Sequence, residues 1–320
     1  MKMSHNPLLT TGEGQSRVLI PTITPLTPDG LLDEDSYCRY VRALFAAGVG
    51  GLYVNGSTGE GLHLEEPMRR RIAELAVELT QECNEADGDW RVCVIHVGAA
   101  QTSVALRLAE HAKSIGATCI SSLPPFVGGT SFEEIVAYYE RLAEFDVPIL
   151  AYYIPMVTKI ELTLAQLQSL AAVRNVIGFK FTSYNVELLM QLKARLRPEQ
   201  QLYSGMDGVL VCGLMYGADG AIGAVYNIAP RQVVEVERRV RAGDLAGALE
   251  AQRIVNDVIE RYKRAHANKH QISAIKHVLH WQGLLDCPRT VQRSELNEQQ
   301  QVETRQLLLE TCLGAGFIDK

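Results

Sequence analysis

The sequence lacks any apolar run of the roughly 18 residues that a membrane-crossing helix needs. Its opening, MKMSHNPLLTTGEGQS, has no apolar segment of the kind that directs secretion. Both absences point to a cytoplasmic protein. An excess of basic charge is missing too. Lysine and arginine number 31 against 37 acidic residues, and the formal net charge of -6 offers no field for wrapping nucleic acid or holding an anionic membrane surface. The 7 cysteines are odd in number, widely spaced and include no Cys-x-x-Cys pair, so a disulfide framework is not expected and reduced thiols are. No Gly-x-Gly-x-x-Gly turn follows the first strand-like run, and no repeat of about 20–50 residues recurs along the chain. Asn55-Gly56-Ser57 matches a glycosylation acceptor, but without a secretory signal it has no access to the modifying machinery.

What is present suffices for a large core: 47% of the 320 residues are hydrophobic and 21% charged. Short β-branched or apolar runs at 18–22, 49–54, 91–97, 118–122, 149–153, 177–181, 201–204 and 219–222 predict strands. Amphipathic stretches between them, at 35–47, 67–82, 103–115, 132–145, 164–173, 186–197 and 208–216, predict helices, and this βαβ alternation belongs to a parallel sheet. A doubly wound open sheet alternates in the same way. Eight strands at nearly regular intervals, with no dinucleotide turn, favour instead a closed (β/α)₈ TIM barrel over residues 17–229. Helical patterning continues from Pro230 through 233–242, 246–265 and 272–281 with no flexible linker, so residues 230–320 read as a helical extension packed on the barrel. Residues 1–16, polar and carrying two glycines, read as a flexible lead-in.

Active sites of such barrels lie where strands end, so polar residues there are the candidates. Gly56-Ser57-Thr58-Gly59-Glu60 follows an apolar run. Its glycines let backbone N–H groups approach a carboxylate or phosphate, although a plain glycine turn with Ser57 or Thr58 as helix cap reads equally well. In Ile177-Gly178-Phe179-Lys180-Phe181-Thr182, alternation puts Gly178, Lys180 and Thr182 on one face and the three bulky residues on the other. If the bulky set faces the helices, Lys180 points into the barrel mouth, where desolvation favours a neutral amine able to attack a ketone. An isolated lysine at a strand end more often snorkels to solvent. In Tyr152-Tyr153-Ile154-Pro155 one phenol faces inward, as a proton donor and acceptor or simply as packing.

Together these segments resemble the N-acetylneuraminate lyase and dihydrodipicolinate synthase family of pyruvate-dependent class I aldolases, over about residues 18–290. The Tyr-x-Ile-Pro spacing to Lys180 matches the family pattern at Tyr152 and not Tyr153. Tyr203-Ser204-Gly205-Met206-Asp207 and the segment 217–223 are closer to the sialic-acid lyase branch. The resemblance implies that Lys180 forms an imine with a 2-keto acid, that Tyr152 shuttles the proton, and that Ser57 and Thr58 hold the pyruvyl carboxylate. It further implies that Thr182, Gly205 and Asp207 line the sugar side, that Ile222 contributes backbone near the pyruvyl group, that no metal or organic cofactor is needed, and that the chain forms a homotetramer. Glu60 reads as structural.

The sequence departs from that family at Val157, where synthases carry an arginine for a second carboxylate. It departs also at Gly208, Ala224 and Val127, where a glutamate, a serine and a tyrosine are usual. These departures favour short 2-keto-3-deoxy acids over N-acetylneuraminate. Synthase-type condensation, dehydration of a 2-keto-3-deoxy sugar acid and non-catalytic keto-acid binding stay open as alternatives, with a phosphosugar isomerase behind them. His266 and His270 share helical spacing, with His277 and His280 nearby, but no carboxylate completes a zinc pattern, so packing or solvation is the expected role. Lys276, on a helix, is a poor nucleophile candidate.

Overall fold

Short apolar runs punctuated by capped helices give the chain its order. In the computed structural model, which describes residues 8, 15–127, 129–265, 271–292 and 296–309, β1 (Val18–Pro21), β2 (Gly51–Val54), β3 (Val92–His96), β4 (Cys119–Ser122), β5 (Ile149–Tyr153), β6 (Val176–Phe181), β7 (Gln201–Ser204) and β8 (Gly220–Ile222) pair in sequence order. All pairs are parallel, and β8 returns to β1 to close a TIM barrel. Helices start where the sequence supplies caps. Asp33 accepts from the Ser36 N–H ahead of Glu34–Ala46, while Ser131 and Thr163 form reciprocal capping boxes with Glu134 and Gln166.

Alternation splits the buried residues into two layers. Leu52, Val54, Cys93, Ile95, Phe179 and Phe181 point outward into the shell between sheet and helices. Leu19, Tyr53, Val92, Val94, Leu150 and Tyr152 point inward and fill the barrel. Leu8 is wholly buried among the inward set. The expected alternation of β6 needs one correction: Ile177 packs with the inward residues and not with Phe179 and Phe181. The cause is a bulge, since Ile149 pairs with Val176 while Leu150 already pairs with Gly178, leaving Ile177 as the extra residue. Gly178 takes up the distortion with φ of 153°, and a Cβ there would lie 1.9 Å from the Gln201 carbonyl oxygen, so only glycine fits.

Helix Pro230–Arg241 follows β8 and packs on β1, where buried Glu237 accepts from the Arg17 N–H at 2.8 Å. Helix Leu245–Ala265 lies on it and reaches the mouth of the barrel at the 3₁₀ turn Asp207–Val209. Gln271–Trp281 and Glu298–Leu309 complete this layer. Pro155–Thr158 and the 3₁₀ turn are elements that periodicity did not predict, Glu298–Leu309 falls within the helical extension expected over 230–320, and the helix expected at 208–216 is reduced to Leu210–Met215. No helix of the described residues is long and apolar enough to cross a membrane.

Candidate active site

Lys180 is the last inward residue of β6, paired with Tyr152 on one side and Tyr203 on the other. Its side chain is 4% exposed. Nζ lies 3.9 Å from the centre of the Tyr53 ring and 4.2 Å from that of Tyr152. Burial lowers its pKa from 10.5 to about 7, against the opposing attraction of Asp207. Aromatic faces cannot hydrate an ammonium, so removing the amine from water outweighs one carboxylate at longer range.

Of the tandem tyrosines, Tyr152 is the inward one, while Tyr153 packs in the outer shell against Phe181, with ring centres 5.0 Å apart. Burial pushes the Tyr152 phenol up to about 12, while the hydroxyls of Thr182 and Ser57 beside it work in the opposite direction. The phenol is therefore protonated at neutral pH and is available as a donor. Thr182 follows β6 directly, and its N–H donates to the Tyr153 carbonyl at 2.8 Å. Its Oγ1 is buried beside the Tyr152 phenol. Gly205, just past β7, makes room for it, because a Cβ there would stand 1.9 Å from Oγ1.

The turn after β2 places Ser57, exposed, toward the Tyr152 phenol and Thr58 in a buried position. Asn55 opens this turn in a left-handed conformation, is 2% exposed, and donates through Nδ2 to the Arg69 carbonyl at 2.8 Å. It offers no surface for a glycan. Asp207 stands across the mouth, its Oδ2 accepting from the Val225 N–H at 3.0 Å, and its charge acts on both Lys180 and Tyr152. Ile222 ends β8 facing inward. Lys180, Tyr152, Ser57, Thr182, Gly205 and Asp207 are thus linked to one another around the concave mouth of the barrel, with Thr58 and Ile222 on turns and strands at the same end.

Two further residues of the concavity escaped the sequence reading. Tyr53 forms half of the aromatic seat of Lys180 and shares a hydrogen bond of 3.0 Å with the Ser121 hydroxyl. His96 ends β3, lies edge-on to the Tyr152 ring at 6.2 Å, and accepts from the Leu123 N–H through Nε2 at 3.3 Å. Burial holds its pKa well below the usual histidine range, with the charges of Arg69 and Lys180 acting the same way. Period-two alternation marks both as inward, since Leu52, Val54, Cys93 and Ile95 face outward. The other histidines lie elsewhere. His277 and His280 each meet a backbone carbonyl through Nδ1, at 2.8 and 2.9 Å, while His266 and His270 fall outside the described residues. Among the described residues no group of three or more His, Cys, Asp or Glu is arranged to hold a metal ion.

Sequence and structural matches make this eight-stranded parallel barrel a lyase of the pyruvate-dependent class I aldolase type. Its membership is specific: residues 15–309 match the model of the dihydrodipicolinate synthetase family, and the chain belongs to that family. It is 32% identical over 273 residues to the N-acetylneuraminate lyase of Salmonella typhimurium (strain LT2), covering 85% of this chain and 88% of that one. A prophage protein of the dihydrodipicolinic acid synthase family from E. coli K12, solved with pyruvate, superposes with a TM-score of 0.84 at 27% identity, over 93% of this chain and 99% of that one. A Clostridium difficile protein solved with mannosamine gives 0.83 at 25% identity, over 92% and 99%.

Proposed function

We propose that the protein cleaves a 2-keto-3-deoxy sugar acid reversibly to pyruvate and an aldehyde, with Lys180 as the nucleophile. The observation that carries this reading is the amine of Lys180, buried over two tyrosine rings at the barrel mouth, where desolvation favours its neutral form. The amine adds to the C2 carbonyl and water leaves, and the imine nitrogen takes the proton that the Tyr152 phenol gives up, so that a protonated imine faces a phenolate. The C3–C4 bond then breaks: its electron pair moves into the imine as an enamine, C4 becomes the aldehyde carbon, and the C4 hydroxyl proton passes toward Tyr152 through the relay formed with Ser57 and Thr182. Protonation at C3 and hydrolysis return pyruvate and free Lys180. Ser57 and Thr58 hold the carboxylate, while Thr182, Gly205, Asp207 and Ile222 border the rest of the substrate.

Val157, half exposed after β5, offers no cation for a second carboxylate, and Gly208 and Ala224 bring no polar side chain to a long polyol. The pocket therefore suits six-carbon acids such as 2-keto-3-deoxygluconate better than N-acetylneuraminate. We place the protein in the cytoplasm, supported by the free state of the six cysteines among the described residues. We also assign it a homo-oligomeric state, a tetramer. Val127, Met156, Val157 and Tyr184 are exposed on the loops that follow β4, β5 and β6 and could supply its interface.

Borohydride reduction in the presence of pyruvate tests the central assignment. The expected result is a pyruvyl adduct on Lys180 by peptide mass spectrometry, absent from Lys180→Ala. An adduct on another lysine, or none, would overturn it.

A further inference from the structure

Glu60 and Lys276 form an ion pair that the chemistry just described does not use. Their charged atoms are 3.0 Å apart, and the side chains are 1% and 0% exposed. Lys276 belongs to helix Gln271–Trp281, while Glu60 closes the turn that carries Ser57 and Thr58. Lys276 also donates to the Arg289 carbonyl at 2.7 Å, and Glu60 Oε1 accepts from the Val291 N–H at 3.1 Å. The pair therefore joins three separate stretches of chain, around 55–61, 276 and 289–291.

The turn itself is held in a conformation that its sequence does not favour. Asn55 and Glu60, neither of them glycine, bracket it at φ of 60° and 57°, a left-handed region costing on the order of 1 kcal/mol per residue. Its backbone is pinned from Glu60 N–H to the Ser57 carbonyl at 3.2 Å and from Gly61 N–H to the Gly56 carbonyl at 3.1 Å, and Thr24 Oγ1 donates to the Gly59 carbonyl at 2.7 Å. A buried ion pair is an inefficient source of stability, because desolvation consumes most of the attraction, and apolar residues of similar volume serve as well. Its advantage is directional: the carboxylate of Glu60 has one place to sit, and the turn follows it.

We propose that the Lys276–Glu60 pair positions the carboxylate-holding turn, so that the C-terminal helical layer sets the geometry of Ser57 and Thr58 from beneath. This rests on the reading of those two hydroxyl residues as the carboxylate site. The pair contacts no substrate; it acts through the backbone of residues 57–60.

The test compares the full-length wild type with Lys276→Met and with the double variant Glu60→Gln/Lys276→Met. The double variant leaves no buried charge uncompensated and keeps an acceptor for the Val291 N–H. Amide exchange over residues 55–61, read by mass spectrometry, and the pyruvate concentration giving half-maximal borohydride trapping are both measured on folded protein. In the double variant, exchange in the turn should accelerate and half-saturation should rise about tenfold, the loss of roughly one well-placed hydrogen bond, while trapping at saturating pyruvate changes little. Wild-type exchange, or wild-type half-saturation, in the folded double variant would show the pair to be a support of the fold alone and overturn the proposal. If the wild type traps no pyruvate at Lys180, the reading of the active site fails separately, and the exchange measurement by itself decides whether the pair holds the turn.

Discussion

The two faces of the barrel sheet are equally buried and do opposite work. On the outer face Leu52, Val54, Phe179 and Phe181 meet helix side chains of the same character. On the inner face near the mouth the same strands carry Tyr53, His96, Tyr152 and Lys180, ionisable groups held out of water. The outer face gains free energy from every methylene it hides. The inner face gives up part of that gain by burying a lysine and a histidine whose charged forms desolvation disfavours. Adjacent residues on one strand thus divide between folding and chemistry, and substitutions on the two faces should separate those properties.

The largest separation is expected between neighbours. Tyr152→Phe should lower the turnover number by about 10²–10⁴-fold, the usual contribution of a positioned proton donor, with little change in melting temperature. Tyr153→Phe should leave turnover within a few-fold. Equal losses for the two would erase the distinction between faces.

Next come two residues of β6. Phe179→Ala, which empties a wholly buried outward site, should cost about 3–5 kcal/mol in denaturant unfolding. Lys180→Met should instead stabilise the fold at pH 7, on the order of a few kcal/mol, because the folded pKa of about 7 lies below the ordinary 10.5. The unfolded chain binds more protons between those two values. Wild-type stability from this group should therefore rise with pH from about 7 to 10.5 and be lowest below 7, and the dependence should vanish in Lys180→Met. A wild-type curve without that slope would mean that the amine is hydrated.

The smallest effect concerns specificity. A Cβ at Gly208 would find Asn256 Oδ1 at an ordinary contact distance of 3.7 Å, so Gly208→Glu meets no clash at its Cβ. It should shift the ratio of kcat/KM toward N-acetylneuraminate, relative to 2-keto-3-deoxygluconate, by about tenfold to a hundredfold. A wild type that already prefers the longer sugar in steady-state pyruvate release would reverse the assignment.

Most of the fold was legible because its signals are local. Eight β-prone runs and the amphipathic stretches between them were readable one segment at a time, and so was the inward aim of Lys180 from its alternation with Phe179 and Phe181. Ile177 was misread for a physical reason: a bulge adds one residue to one strand, and pairing with a neighbour 27 positions away cannot be seen in a period-two pattern. Tyr53 and His96 were readable as inward but not as members of the site, since nothing local says which strands face each other across a barrel. Glu60 and Lys276 were read as structural and helical, which they are, but their pairing lies beyond any local pattern.

By itself, then, the sequence determined the parallel barrel, the strand-end position of Lys180 and the motifs that place the chain among pyruvate-dependent aldolases, because alternation, capping and motif spacing act over a few residues. Tertiary structure alone decided that Lys180 sits between two tyrosine rings and that Asp207 opposes its desolvation. It also decided that Lys276, on a helix far along the chain, pairs with Glu60 at the end of the turn after β2. Those outcomes depend on the dielectric surroundings and on distances between segments remote in sequence, and closure of the barrel is what brings them together.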